Sequence, residues 1–119
     1  MQNPLFGYPS AFDLICILEK DGRAEYCNHF YDTNASDALF QNLLGSLTWE
    51  SDQILMFGRL VTTARKVAWV GDPECLYTYS GVQKIPQAWT QGLLNMKLKL
   101  EQWTGHTYNS CLLNLYHTG

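Results

Sequence analysis

Asn114 and Tyr116 stand two residues apart at the end of the segment TYNSCLLNLY (107–116). In an extended chain successive side chains alternate faces, so this amide and this phenol point the same way. Tyr108, Ser110 and Leu112 share their face. Asn109, Cys111, Leu113 and Leu115 form the other, which reads as a core face. Two such groups side by side serve either as hydrogen-bond partners for a polar ligand or as a polar pair in a plain sheet. Upstream, Arg65 and Lys66 are adjacent bases beside a strand, placed to meet phosphates, although Lys66 taken alone fits a solvated surface equally well. Tyr77, Tyr79 and Trp69 are aromatic side chains in strand-like segments, either packing on a sheet or offering a ring platform. Phe57, followed by Gly58 and Arg59, is an aromatic at the abrupt end of an apolar run. It is either buried with Leu55 on one core face, Met56 lying opposite, or it stands out on a hairpin tip. His29, His106 and His117 are scattered and form no ligand set, so no metal ligand and no catalytic group is assigned within the chain.

The elements that must position these groups are legible from pattern. Residues 14–18 (LICIL) predict a strand, Asp21-Gly22 a turn, and 24–31 an extended segment leading inward. Residues 33–37 offer several helix caps, after which Phe40, Leu43, Leu44 and Leu47 repeat at helical spacing. Residues 53–58 and 66–70 predict two strands flanking an irregular link. Gly71-Asp72-Pro73 predicts a turn, and Tyr77-Thr78-Tyr79 a strand that stops at Ser80-Gly81. A second helix is predicted to open near Pro86, to carry Trp89, Leu93, Met96, Leu100 and Trp103 on one face, and to stop at Gly105. Residues 107–116 predict the last strand. The pattern is that of an α+β chain.

With 119 residues, 46% hydrophobic and 16% charged, the sequence suits one folded domain with a modest core. No apolar run approaches the ~20 residues that cross a bilayer, and the opening MQNPLFGYPS has no signal-peptide pattern. No membrane role is expected. The four cysteines, Cys16, Cys27, Cys75 and Cys111, lack CxxC spacing and read as free thiols of a cytoplasmic protein. A net charge of −3 argues against a generic polyanion binder. The charge is uneven: residues 1–52 carry eight acids and two bases, residues 53–119 three acids and six bases. Any nucleic-acid face is expected in the second half.

The ending Asn114-Leu115-Tyr116-His117-Thr118-Gly119 resembles the N-x-Y-x-x-G segment of AlkB-type dioxygenases, nucleic-acid dealkylases that use iron(II) and 2-oxoglutarate. Four further blocks fall in the same order at similar gaps: Phe57-Gly58-Arg59 with Ala64-Arg65-Lys66, then Gly71-Asp72, then Tyr77-Thr78-Tyr79-Ser80-Gly81, then Trp89 and Thr104-Gly105. They cover about residues 50–119, and residues 20–32 fit the family's lead-in more loosely. Ala64 departs from the family's frequent Pro-Arg-Lys but leaves both bases in place. The family's His-x-Asp iron ligands do not occur in this sequence.

The resemblance implies an N-terminal extension at about 1–50, a nucleotide-recognition lid region at 51–85, and a helix with the first strand of a double-stranded β-helix, or jelly roll, at 86–119. It implies that Asn114 and Tyr116 donate hydrogen bonds to 2-oxoglutarate, a spacing of about 6–7 Å along a strand suiting one small dicarboxylate. The substrate would be an alkylated base of DNA or RNA, extruded from its stack before oxidation. Tyr79 and Ser80 match the block that stacks on that base, with Tyr77 on the same strand face and Trp69 as a second aromatic. Arg65 and Lys66 would meet the target strand. Phe57 would act as a wedge between base steps with Arg59 on the neighbouring phosphate. Iron ligands being absent, this part is expected to be inactive on its own. The rival readings are a non-catalytic nucleic-acid-binding fragment and a small α+β interaction module. The strand at 107–116 is expected to leave an edge through which the chain could self-associate.

Overall fold

The computed structural model describes residues 14–79 and 81–117. The element order is β1 (Leu14–Leu18), β2 (Ala24–Cys27), α1 (Thr33–Ser46), β3 (Glu50–Met56), β4 (Arg59–Gly71), β5 (Tyr77–Tyr79), β6 (Val82–Lys84), α2 (Gln91–Thr104) and β7 (Ser110–Leu115). The architecture is α+β. β1 and β2 form one antiparallel hairpin and β5 and β6 another, while β3, β4 and β7 form an antiparallel sheet in the order β3-β4-β7.

The central sheet departs from the predicted irregular link at 59–65. Residues 59–71 are one continuous strand, because Leu60, Val61, Thr62 and Thr63 are good strand formers and only two residues are needed to turn the chain. Met56 pairs with Arg59 across Phe57 and Gly58, whose φ values are +50° and +75°. Two consecutive left-handed residues make the tight hairpin loop that matches the twist of the flanking strands. Gly58 takes that conformation without a Cβ penalty, whereas Phe57 takes it against its preference. Further along, Ser51 pairs with Lys66 but Gln53 pairs with Thr62. Asp52 therefore opposes three residues, Thr63 to Arg65, in a bulge.

The helices start elsewhere than expected. α1 is capped by Asp32, just ahead of the predicted caps, whose carboxylate accepts from Ala35 N–H at 2.7 Å. α2 begins at Gln91, capped by Thr90, not at Pro86. Residues 85–90 stay extended because Gln87 pairs with β4: its N–H donates to the Trp69 carbonyl at 2.8 Å, and its carbonyl accepts from Gly71 N–H at 3.1 Å. The Gln87 side-chain amide then bonds both backbone groups of Thr48, donating at 2.8 Å and accepting at 2.9 Å. Trp89 consequently lies before the helix, with its indole N–H on Asp72 at 2.9 Å. Gly105 ends α2 in a left-handed conformation, as predicted.

The core sits where the helices cover one face of the sheet: Leu47, Ala68, Val70 and Leu93 are buried, with Leu43, Trp49, Trp89, Cys111 and Leu113 packed around them. The predicted alternation of β7 holds, Cys111 and Leu113 facing the core. The apolar stripe of α1 is covered only at its end, Phe40 and Leu44 remaining exposed. Gly71 closes β4 against the start of β7, where a Cβ would come within 2.8 Å of the Asn109 carbonyl oxygen. On the far side of α2, Lys99 donates to the Phe30 carbonyl at 2.6 Å and lies over the Phe30 and Tyr31 rings, 4.3 and 4.1 Å from their centroids. That contact ties the β2–α1 loop to α2. Burial there pulls the Lys99 ammonium below its ordinary range.

Candidate functional site

The sheet face opposite the core carries the polar and aromatic groups. Arg65, Val67 and Trp69 alternate along β4. Asn114 lies opposite Val67 and Leu112 opposite Trp69 on β7. These five side chains line one concave pocket of about 800 Å³, which β3 borders on one flank and Tyr77, Gln83 and Lys84 of the β5–β6 hairpin on another. Trp69 and Tyr77 stand with ring centroids 5.3 Å apart, inclined at 39°. The Trp69 indole N–H donates to the Cys75 carbonyl at 2.8 Å, which fixes the ring's orientation. Lys84 reaches Glu50 at 3.0 Å, an exposed ion pair joining the small hairpin to β3 across the pocket.

Among the residues singled out from sequence, Arg65, Trp69, Tyr77 and Asn114 come together at this pocket. Tyr116, just past β7 and 64% exposed, stands beside Arg65, because the register that pairs Lys66 with Leu115 places these two at the next step. Lys66 does not: neighbours on a strand face opposite ways, and it lies on the other side of the sheet from Arg65. Phe57 and Arg59 form a separate feature at the tip of the β3–β4 hairpin. Of the two placements open for Phe57, the exposed one is observed, at 98%. Ser80 and the Tyr79 side chain lie outside the described residues.

One participant carries no sequence signal. Asp52 is the buried charged residue of the described chain, 7% exposed. Its Oδ2 accepts from Arg65 Nε at 3.0 Å and also from Nη2. The Asp52 carboxylate first, then the neighbouring Tyr116, holds the Arg65 guanidinium above its ordinary range. Arg65 is thus a cation already paired to a buried carboxylate along one edge of its guanidinium. Only the bulge brings residue 52 to residue 65, and nothing in the local sequence marks it.

The Asn114 amide in the pocket and the Tyr116 phenol just past β7 are neutral hydrogen-bond donors of the kind a carboxylate ligand accepts from. Among the described residues no three His, Cys, Asp or Glu side chains group as metal ligands. These donors are compatible in chemistry with a carboxylate such as 2-oxoglutarate carries, and the described residues provide no cage for iron.

No protein-family profile matches the chain. Individual relatives do. The chain is 34% identical over 113 residues to bovine alpha-ketoglutarate-dependent dioxygenase alkB homolog 3, an alignment covering 84% of the chain and 39% of that protein. The human alkB homolog 3 is 33% identical over 102 residues, with 83% and 35% covered. Human DNA oxidative demethylase ALKBH2 is 31% identical over 87 residues, with 71% and 33% covered. This chain belongs to the AlkB-like family. The AlkB-like chain spans between a third and two fifths of the length of these relatives.

Proposed function

We propose that the parent protein is an iron(II)- and 2-oxoglutarate-dependent oxidative dealkylase of DNA or RNA. In this reading residues 1–119 supply its nucleotide-recognition part and first jelly-roll strands. The observation that carries it is the sheet face on which Trp69, Arg65 and Asn114 meet, with Tyr77 of the β5–β6 hairpin beside them, around one pocket. With iron, 2-oxoglutarate and dioxygen bound, dioxygen would be the oxidant, one of its atoms converting 2-oxoglutarate to succinate and carbon dioxide and the other hydroxylating an N-alkyl group, which is then released as an aldehyde. The chain's own residues do the rest of the work assigned here. Asn114 and Tyr116 donate to the co-substrate and orient it. Trp69 and Tyr77 present aromatic faces to an extruded base. The closely packed sheet behind them keeps water from one side. Residues 1–119 alone are catalytically silent in this reading, the histidines being dispersed and no ligand set forming among the described residues.

The test uses the full-length protein. It is expected to release formaldehyde from a methylated oligonucleotide only when iron(II) and 2-oxoglutarate are both supplied. Tyr116→Phe should then raise the 2-oxoglutarate concentration needed for half-maximal rate about tenfold or more, since a hydrogen bond to a charged group contributes about 1.5–3 kcal/mol. An unchanged 2-oxoglutarate dependence in a folded variant would reduce Tyr116 to an ordinary surface residue.

A further inference from the structure

We infer that Asp52 is a positioning residue for the co-substrate site, acting through Arg65 on Tyr116; the inference rests on the function proposed above. Three observations meet at one point. The bulge in the β3–β4 pairing sets Asp52 against Thr63 to Arg65, and bulges next to sites re-aim side chains. Asp52 is buried and its Oδ2 takes two donors of one guanidinium edge, Nε and Nη2. Thr63 Oγ1 donates to the Asp52 carbonyl oxygen at 3.2 Å, which holds the bulged residue itself. A guanidinium is planar, so fixing one edge fixes the plane and the direction of its remaining donors. Tyr116 is the residue beside them: Lys66 pairs with Leu115, so the next step of the register sets Arg65 against Tyr116. Tyr116 is 64% exposed and lies past the last strand, so it has little packing of its own to set its ring. Arg65 therefore supplies the restraint that β7 does not, and Asp52 makes Arg65 rigid enough to supply it.

A buried acid is costly unless paired, so a merely structural ion pair is the competing account. The two accounts separate in a double-mutant cycle on the full-length protein with Asp52→Asn and Tyr116→Phe, reading the dissociation constant for 2-oxoglutarate by intrinsic fluorescence. Positioning through Tyr116 predicts that Asp52→Asn weakens binding several-fold in the parent. In the Tyr116→Phe background it should change binding by less than about twofold, because coupled residues are non-additive. Should Asp52→Asn fail to fold, the paired variant D52A/R65M, which orphans no charge, carries the same cycle. A second arm needs no co-substrate: in the free protein the ring resonances of Tyr116, assigned by their loss in Tyr116→Phe, should shift on Asp52→Asn. Multiplicative effects on binding, or unmoved Tyr116 resonances with only a lowered melting temperature, overturn the inference. If the parent protein fails to bind 2-oxoglutarate at all, the proposed function falls, and the resonance arm still decides whether Asp52 sets Tyr116.

Discussion

Phe57→Ala in the full-length protein is expected to cut activity on a duplex substrate by tenfold or more while leaving a single strand of the same sequence almost unaffected. The hypothesis is that Phe57 enters the stack and fills the space that an extruded base leaves. Unstacking a base step costs on the order of a few kcal/mol, and each 1.4 kcal/mol is about a factor of ten. A single strand needs no such wedge. The fold gives this variant an unusual clarity. Phe57 is 98% exposed, so truncation removes no packing. Alanine at φ +50° meets the same backbone strain as phenylalanine, so the turn is not relieved either. Stability should therefore change by no more than about 0.5 kcal/mol. Equal losses on the two substrates would remove the wedge.

Leu93→Ala should act the opposite way, on the fold before the chemistry. Leu93 is 2% exposed and meets Leu47, Ala68 and Val70 where α2 crosses the sheet. Burying leucine there is what holds the helix to the back of β4, whose front carries Trp69 and Arg65. Truncations of this kind cost about 2–5 kcal/mol, depending on how far the cavity collapses. Domains have only about 5–15 kcal/mol in total. The four buried residues named in this core leave few neighbours to share the strain, so the upper half of that range is expected. Chemical denaturation gives the number directly from the shift in midpoint. A loss below about 1 kcal/mol would mean that the α2–sheet packing is not what stabilises the pocket face.

Much of this is legible in the amino-acid sequence, for definite reasons. The alternation of TYNSCLLNLY placed Asn114 and Leu112 on the face away from the core, because a period of two leaves no freedom once Cys111 and Leu113 are committed inward. The left-handed stop at Gly105 followed from glycine chemistry. What was missed depended on contacts distant in sequence. Pro86 is a fair opener for a helix, yet the strand-like bonds of Gln87 to Trp69 and Gly71 hold residues 85–90 extended. The reading of 59–65 as an irregular link failed because Thr-Thr-Ala-Arg carries no apolar period, although the backbone bonds of a strand do not need one. Asp52 was invisible because its partner lies thirteen residues on and across a bulge. The adjacent pair Arg65-Lys66 was read as one basic unit, and the strand divides it between two faces.

The pairing of side chains described above also sets how this part of the protein responds to ionic strength. Residues 53–119 hold six bases. Arg65, Lys84 and Lys97 are each matched to a carboxylate, and Lys99 is turned inward to the Phe30 carbonyl. Arg59, at the foot of the Phe57 turn, and Lys66 are left without an ion-pair partner among the described residues. Each phosphate neutralised on duplex DNA releases close to one condensed counterion, giving a slope near −0.9 in log affinity against log salt. Two available cations make the expected slope for this part about −2. On the proposed function, its grip on nucleic acid would then persist as salt rises, and would depend on ring stacking and shape more than on charge. A slope steeper than about −4 in a salt titration would mean that the internal ion pairs open on binding and hand their cations to the phosphates.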